Sequence, residues 1–141
     1  MSVAEGSAGG LISAALLSMP GASAYYLGGT VIYTRQALDA YVGDLVERPA
    51  GLRGASEPWA LLLATSARLH LDATWGIGEG GAAGPGGNPY GDPSGHAWVA
   101  VDGPSPATLN ITTGSEDRAA NMVAFATAAL DLLARQLRAD D

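Results

Sequence analysis

The chain has 141 residues, among them seven arginines, fourteen carboxylates, no lysine and no cysteine, and its formal net charge is −7. This length predicts one domain, spanning residues 1–141. The absence of cysteine excludes a disulfide framework, a thiol nucleophile and a thiolate metal site. The absence of lysine excludes a lysine base, since arginine keeps its charge at any working pH. The negative charge argues against nucleic acid and against an anionic membrane as partners.

The first half of the sequence predicts short elements separated by glycine or proline. Apolar residues recur at helical spacing after Gly10, and Pro20-Gly21 ends that helix. The predicted elements are a strand at 3–5, a turn at 6–10, a helix at 10–19, a strand at 29–34, a helix at 36–42 and a loop at 48–54.

The second half predicts longer elements. Ser56 is a suitable N-cap for a helix that ends near Leu71. The following elements are a strand at 74–79, an irregular loop at 80–95 that is rich in glycine and proline, strands at 96–102 and 108–113, and a last helix that starts with a cap and acidic turn at 115–117. Helices that alternate with short apolar strands predict a three-layer α/β/α sandwich.

An apolar run at 11–19, followed by Ala22-Ser23-Ala24, has the outline of a secretory leader. No basic residue precedes the run, and Glu5 stands where a leader carries positive charge, so a leader is not expected. The run is also too short to cross a membrane, which takes about 20 apolar residues. We therefore expect a cytoplasmic protein.

Five segments carry a resemblance to a known family. The turn at 4–10 (AEGSAGG) is similar to the family's Ala-Glu-Ser-Cys-Thr-Gly-Gly motif, and the loop at 81–87 (GAAGPGG) is similar to its Gly-Ile-Ala-Gly-Pro-Gly-Gly motif. The other three segments lie at 20–25 (PGASAY), 93–98 (PSGHAW) and 114–118 (GSEDR). Because the five occur in order over nearly the whole chain, the sequence resembles the C-terminal domain of CinA, the nicotinamide-nucleotide amidase family.

The resemblance implies the same three-layer sandwich, with a mixed sheet of about five strands. The family normally begins about twenty residues earlier, with a helix that this sequence lacks, so we expect either a trimmed chain or a partner surface in its place. A homodimer is therefore expected. Candidates for its interface are Tyr25, Tyr26, Trp59 and Trp75, with burial in the core as the alternative.

The resemblance breaks at the residues that carry the family's chemistry. Gly6 matches the position of the serine nucleophile and Leu38 matches that of the catalytic lysine, whereas Tyr33 is retained. Neither replacement can attack or exchange a proton, so the inherited amidase mechanism is predicted to be lost. One alternative is amide hydrolysis through Ser7 with a histidine as base. The simpler interpretation is that Ser7 satisfies backbone groups in the turn.

Four residues are candidates for a replacement chemistry: Glu79, His96, Tyr33 and Glu5. If the family's fold is kept, they converge at the strand ends and glycine loops where α/β sheets bind ligands. A partly buried Glu79 would have a raised pKa and share a proton with His96, which Asp92 would orient. This predicts acid–base chemistry on a small organic substrate: isomerisation, cyclisation, dehydration or epoxide opening. Alternatively, Glu79 binds backbone N–H groups, His96 faces solvent and Tyr33 lies in the core.

Backbone N–H groups of the two glycine segments are candidates for holding an anionic group of the ligand. The candidate ligand-binding residues are Ser7, Gly9, Gly10, Gly81, Gly84 and Gly86. No metal site is expected, because His70 and His96 lie far apart and no cysteine is present, and no cofactor is implied. A non-catalytic protein that binds a nucleotide-like ligand is the main alternative to the enzyme. A setting in specialised metabolism is expected only because such scaffolds are often reused there.

Overall fold

The computed structural model of the protein describes residues 1–140, which form five strands and four α-helices. In chain order these are β1 (Ser2–Glu5), α1 (Leu11–Leu17), β2 (Gly28–Val31), α2 (Arg35–Val42), α3 (Glu57–His70), β3 (Gly76–Ala82), β4 (His96–Asp102), β5 (Ala107–Thr112) and α4 (Arg118–Asp140). A short 3₁₀ helix, Ala22–Ala24, follows α1. Among the described residues, no helix is both long and apolar enough to cross a membrane.

The five strands form one mixed sheet in the order β2-β1-β3-β4-β5. β1 pairs in parallel with β2 and β3, whereas β4 pairs antiparallel with β3 and β5. The register places Glu5 at the end of β1 beside Glu79 of β3 and beside Val31 of β2. The turns that follow these parallel strands therefore meet at one edge of the sheet.

Side chains alternate between the two faces of the sheet, and each face packs against helices. Val3, Ile77 and Val99 pack with α1 and α4 in one core cluster. Ala4 packs on the opposite face, with Leu38 of α2 and with α3. The three-layer α/β/α sandwich with a mixed five-stranded sheet, as predicted, is confirmed.

Alternate glycines of β3 let α3 approach the sheet closely. A Cβ on Gly78 would lie 2.0 Å from the carbonyl oxygen of Ala60, and a Cβ on Gly76 would lie 2.0 Å from that of Ala64. The backbone of α3 thus lies directly against β3 on this face. Side chains of β3 that need room must point to the other face, and Glu79 is one of them.

The sequence-based boundaries are wrong at three places. β3 extends through Ala82, into the segment expected to be irregular, because antiparallel pairing with β4 satisfies its backbone groups despite the glycines. β2 occupies 28–31 rather than 29–34, and Thr34 instead caps α2. α4 begins at Arg118, and its N-cap is Asp117, whose carboxylate accepts a hydrogen bond from the third residue of the helix.

Candidate active site

A polar cleft opens where β1 and β3 end. It consists of three adjoining cavities, all lined by Tyr33 and Gly81. The loop cavity, of about 190 Å³, adds the glycine loop after β3 and Arg118. The central cavity, of about 70 Å³, adds Gly6 and Ile32. The aromatic cavity, of about 320 Å³, contains Tyr33, Trp59, Tyr90 and Arg35.

Glu79 lies beneath this cleft on β3. Its side chain is fully buried, and its carboxyl binds the turn that follows β1. Oε2 accepts hydrogen bonds from the backbone N–H groups of Gly6 at 3.0 Å and of Ala8 at 2.8 Å. Oε1 accepts one from the hydroxyl of Ser7. Because Ser7 lines the loop and central cavities, its hydroxyl connects Glu79 to a molecule bound in the cleft.

Burial raises the pKa of Glu79 to about 7. The hydrogen bonds from the turn act in the opposite direction, because they stabilise the charged form, whereas the neighbouring Glu5 raises the pKa further. Both the protonated and the ionised form of Glu79 are therefore accessible near neutral pH. A carboxyl in that state can both accept and return a proton.

Glu5 is also fully buried, but its carboxylate faces the amino end of α1. It accepts hydrogen bonds from the backbone N–H groups of Gly10 at 2.8 Å, Ile12 at 3.0 Å and Ser13 at 2.9 Å, and from the hydroxyl of Ser13 at 2.9 Å. The N–H groups at a helix start have no partner within the helix. Glu5 thus holds the turn and α1 together. Contrary to expectation, it does not line the cleft.

His96 lies on the opposite face of the sheet from Glu79. It pairs with Ala82, three residues along β3 from Glu79, and side chains alternate along a strand. Nε2 of His96 donates a hydrogen bond to the carbonyl oxygen of Ala55 at 3.0 Å. The expected proton sharing between Glu79 and His96 is therefore not observed. The alternative of a solvent-facing His96 is also wrong, because its side chain is only 13% exposed.

Asp92 lies near His96, as its spacing predicts, but its main partner is Arg53. Nη1 of Arg53 donates to Asp92 at 2.6 Å and Nδ2 of Asn88 donates at 2.8 Å, whereas Nε2 of His96 lies 3.6 Å away. Burial alone would raise the pKa of Asp92, but the hydrogen bonds from Arg53 and Asn88 hold it below its usual range. Asp92 thus fixes the loop after β3 to Arg53.

Arg118 reaches into the cleft from the start of α4. Its guanidinium donates to the carbonyl oxygen of Gly84 and, at 2.9 Å, to the hydroxyl of Tyr33. Both acceptors are neutral, and within residues 1–140 no carboxylate forms an ion pair with Arg118. Tyr33 itself is 64% exposed, so the alternative that it is a core residue is wrong.

The glycine loop lines the cleft through Gly81, Gly84 and Gly86, as predicted. The N–H group of Gly86 is nevertheless already occupied, because it donates to Oε2 of Glu116 at 2.6 Å. An anion bound in the loop cavity would therefore meet Arg118 rather than this N–H group.

The glycines before α1 differ from the prediction. Gly9 and Gly10 line none of the three cavities. Gly9 donates to the carbonyl oxygen of Gly6 at 2.9 Å, and Gly10 donates to Glu5. The carboxylate of Glu5 already supplies the negative charge that this helix start would attract. Neither glycine is available for a ligand anion.

Gly6 and Leu38, the positions to which the resemblance assigns the family's catalytic pair, both lie in crowded surroundings. A Cβ on Gly6 would lie 2.9 Å from the carbonyl oxygen of Ile32, closer than neighbouring atoms normally approach. Leu38 is fully buried in the core cluster that contains Ile32 and Trp59. Gly6 is thus enclosed by backbone, and Leu38 is enclosed by apolar side chains of the core.

Several cleft residues had no predicted role: Arg35, Tyr90 and Arg118. Arg118 is the last residue of the family-like segment at 114–118, and its place in that segment could have identified it as a candidate site residue. Trp59 and Trp75 are 8% and 5% exposed, so of the two alternatives left open for them burial in the core applies and an interface does not. In the part of the chain that the structure describes, no three His, Asp or Glu side chains form a group that could hold a metal ion.

Comparison with known proteins identifies one family. The family model described as the CinA C-terminal domain matches residues 1–137. A CinA-like protein of Anaeromyxobacter sp. (strain K) is 36% identical over 140 residues, which are 98% of this chain and 34% of that protein. One of Parasynechococcus marenigrum (strain WH8102) is 35% identical over 144 residues, with 99% and 34% covered. The chain thus spans about a third of the length of these relatives.

Solved structures agree with this result. The competence/damage inducible protein CihA of Agrobacterium tumefaciens is 30% identical, with a TM-score of 0.84 over 96% of this chain and 83% of that one. The CinA superfamily protein KP700603 of Klebsiella pneumoniae is 25% identical, with a TM-score of 0.88 over 97% and 86%.

Proposed function

The chain belongs to the family of CinA C-terminal domains, and we propose that it is a small-molecule enzyme in which Ser7 and Glu79 transfer protons. The observation that carries the proposal is the fully buried carboxyl of Glu79, bound to a serine hydroxyl that lines the cleft. A buried carboxyl costs stability unless it is hydrogen-bonded or paired, and the three donors of the turn supply these bonds to Glu79. In this chain the carboxyl of Glu79 lies directly behind the hydroxyl of Ser7, through which a ligand in the cleft can exchange a proton with it.

Ser7 relays the proton in the proposed mechanism. When Glu79 is ionised, the Ser7 hydroxyl donates its hydrogen to Oε1 and leaves its oxygen lone pairs for the substrate. A substrate C–H or O–H group gives its proton to Oγ of Ser7 while the hydroxyl's own proton moves to Oε1. The reverse transfer returns a proton to a different substrate atom, which completes an isomerisation. Cyclisation, dehydration and epoxide opening use the same two transfers.

The charges around the cleft favour a substrate with an anionic group. Arg35 and Arg118 line the cavities, and no Asp or Glu among the described residues lines them. Neither arginine forms an ion pair within residues 1–140. The two arginines are therefore candidates for binding an anionic group, whereas the carboxyls nearest the cleft, those of Glu79 and Glu116, already accept hydrogen bonds from the chain. Arg118, in the same cavity as Ser7, is the cation available to stabilise the negative charge that proton removal leaves on the substrate.

Proton transfer can be measured before the natural substrate is known. Pyruvate carries a carboxylate and exchangeable methyl protons, so its hydrogen–deuterium exchange in D₂O, followed by ¹H NMR, reports the proposed step. We expect exchange faster than in buffer, and Glu79→Gln should slow it at least ~100-fold. Ser7→Ala should do the same, whereas Ser18→Ala, an exposed serine outside the cleft, should not. Equal rates for the native chain and Glu79→Gln, with pyruvate bound to both, would contradict the proposal.

A second candidate function is amide hydrolysis through Ser7. It is favoured by one observation, that the Ser7 hydroxyl is bound to a carboxylate that can serve as its base. The base would be Glu79 instead of the histidine considered from the sequence. Incubation with nicotinamide mononucleotide tests this candidate. If ammonia is released and Ser7→Ala abolishes the release, amide hydrolysis replaces proton transfer as the proposed function. Binding of small anions with neither reaction would favour a non-catalytic role.

We also propose that the protein is a cytoplasmic homodimer. Within residues 1–140 the edge strand β2 pairs only with β1, and large apolar side chains are exposed at the end of α1, after it, and before and in β2: Leu17, Met19, Leu27 and Val31. Exposed apolar patches next to a free strand edge favour association with a second copy. Light scattering after size-exclusion chromatography should give twice the mass of the chain, and Val31→Asp should give a monomer. A monomer at micromolar concentration would contradict the proposal.

A further inference from the structure

We propose that an apolar cavity beside α3 binds a small organic ammonium ion, that is, an amine with an apolar body. This cavity, of about 270 Å³, lies between the first two turns of α3 and the segment that follows α2. It shares no lining residue with the three cavities of the cleft. The proposed site is therefore separate from the cleft, and it does not depend on the function proposed for the cleft.

Most of the lining of this cavity is apolar. Val46 and Pro49 come from the segment after α2, and Pro58, Leu61 and Leu62 come from α3. Leu62 is only 4% exposed, and Val46 packs against the core cluster to which Leu62 belongs. The core thus fixes both sides of the cavity. The apolar body of a ligand bound between them would be removed from water, which favours binding.

Two carboxylates line the same cavity, those of Glu47 and Glu57. Glu47 is exposed. Oε1 of Glu57 accepts a hydrogen bond from the hydroxyl of Thr108 at 2.6 Å, which leaves Oε2 for a ligand. In the part of the chain that the structure describes, neither carboxylate forms an ion pair. An ammonium group can supply the charge-assisted hydrogen bonds that such carboxylates accept.

The arginines on the two flanking segments are bound elsewhere. Arg48 stands between two lining residues in the sequence, but its guanidinium is paired with Asp39 of α2. Arg68 of α3 is paired with Asp102 of β4 at 2.8 Å. None of the lining residues is basic. The two carboxylates of the cavity are therefore not neutralised by a neighbouring arginine, and the charge of the cavity is complementary to a cation.

The size of the cavity favours a small molecule over a protein. Eight residues line it, whereas a stable protein interface takes about 20–30 residues from each side. An anionic ligand would find few donors, because Pro58 has no N–H group and the hydroxyl of Ser56 already accepts the N–H group of Trp59 at 3.3 Å. The ligand class that follows is a compact apolar molecule with one ammonium group.

Benzylammonium, benzyl alcohol and methylammonium test this inference, because they separate the charge from the apolar body. Dissociation constants are measured by NMR titration at neutral pH, and the methyl signals of Val46, Leu61 and Leu62 report where each compound binds. We expect benzylammonium to bind at least ~5-fold more tightly than benzyl alcohol, which lacks the charge. It should bind at least ~10-fold more tightly than methylammonium, which lacks the apolar body.

Three variants test the two carboxylates. Glu47→Gln and Glu57→Gln should each weaken the binding of benzylammonium at least ~3-fold and leave that of benzyl alcohol unchanged. The amide oxygen introduced by Glu57→Gln can still accept the hydrogen bond from Thr108, so the start of α3 should be kept. Asp131→Asn is the matched control, because Asp131 is an exposed carboxylate of α4 outside the cavity. It should change neither dissociation constant.

Several results would overturn the inference. They are equal binding of benzylammonium and benzyl alcohol, no binding of benzylammonium, and shifts confined to signals outside the cavity. If only an arginine-rich peptide shifts the three methyl signals, the occupant is a protein rather than a small molecule. If Glu47→Gln halves the mass found by light scattering, a second copy of the chain occupies the cavity. Either of these last two results also overturns the inference.

Discussion

Glu5 and Glu79 occupy neighbouring positions on the parallel strands β1 and β3, and both side chains are fully buried on the same face of the sheet. Their surroundings differ in one respect that decides their chemistry. The carboxylate of Glu5 is bound by donors at the start of α1, whereas that of Glu79 is bound by two N–H groups and a hydroxyl that reaches the cleft. Of the two carboxyls, only that of Glu79 is connected to the cleft by a hydrogen bond, and we therefore propose Glu79 rather than Glu5 for proton exchange with a ligand.

The first prediction concerns stability as a function of pH. The pKa of Glu79 is raised from 4.5 to about 7 in the folded chain, so the folded state keeps a proton that the unfolded chain releases. The stabilising contribution of the protonated carboxyl is complete below pH 4.5 and is lost as the pH rises through 7. In the native chain we expect the free energy of unfolding to fall by on the order of 3 kcal/mol over this interval because of Glu79. Glu79→Gln should abolish this fall.

Urea denaturation at pH 5 and pH 8 measures this effect as the difference between the native chain and Glu79→Gln. The exposed carboxylate of Glu47 provides the control, since Glu47→Gln should leave the pH dependence of the native chain unchanged. If the free energy of unfolding changes equally between pH 5 and pH 8 in the native chain and in Glu79→Gln, the carboxyl of Glu79 is ionised over this whole pH range and the prediction is wrong.

The second prediction assigns Glu5 to structure. Glu5→Ala removes the acceptor of three backbone N–H groups and a hydroxyl near the start of α1. Buried donors left without a partner cost about 1–3 kcal/mol each, so we expect a loss of at least ~2 kcal/mol in the free energy of unfolding. The amides of Ile12 and Ser13 should exchange with deuterium faster. Unchanged protection of both amides would show that α1 does not depend on Glu5.

The third prediction is that Gly6→Ser and Leu38→Lys, which introduce the residue types that the resemblance assigns to these positions, are not tolerated. Gly6→Ser places a Cβ 2.9 Å from the carbonyl oxygen of Ile32, and Leu38→Lys puts a cationic side chain at a fully buried position. We expect each variant to be less stable by about 1–3 kcal/mol or more. The double variant should release no ammonia from nicotinamide mononucleotide. A stable, active double variant would mean that the turn and α2 rearrange without cost.

The fourth prediction separates His96 from the proton-transfer step. Because His96 lies on the opposite face of the sheet from Glu79 and donates to the carbonyl oxygen of Ala55, His96→Ala should change the pyruvate exchange rate less than about threefold. Glu79→Gln in the same assay should lower it at least ~100-fold. A loss of similar size in both variants would mean that His96 reaches the substrate after all.

The sequence was sufficient to predict the fold, because periodicity and capping act locally. The strand 96–102 and the helix that Ser56 caps are found as predicted, and the glycine motifs place the chain in its family. Strand pairing is harder to predict from sequence. The glycines at the end of β3 are typical of a loop, but hydrogen bonds to β4 keep them in the strand.

The site was only partly predictable, for a reason of geometry. Glu79 and His96 were expected to meet because both flank the glycine loop. Whether two such side chains share a face depends on strand register, and a difference of three residues along β3 separates them. Tyr90 lies on the loop after β3 and Arg35 is the first residue of α2, and no local pattern shows that these two segments face one cavity.

The buried position of Glu79 also affects which substitutions the chain can accept at this residue. On a strand with small or apolar neighbours, a carboxyl that ionises near neutral pH makes folding less favourable than an uncharged side chain of the same shape would. The cleft residues Asn88, Tyr90 and Arg118, by contrast, stand on the loop after β3 and at the start of α4, and they belong to none of the core clusters. Substitutions at these three positions can therefore change what the cleft binds with less effect on the core. At Glu79, an uncharged replacement is expected to stabilise the folded chain near neutral pH and, at the same time, to remove the proposed proton transfer.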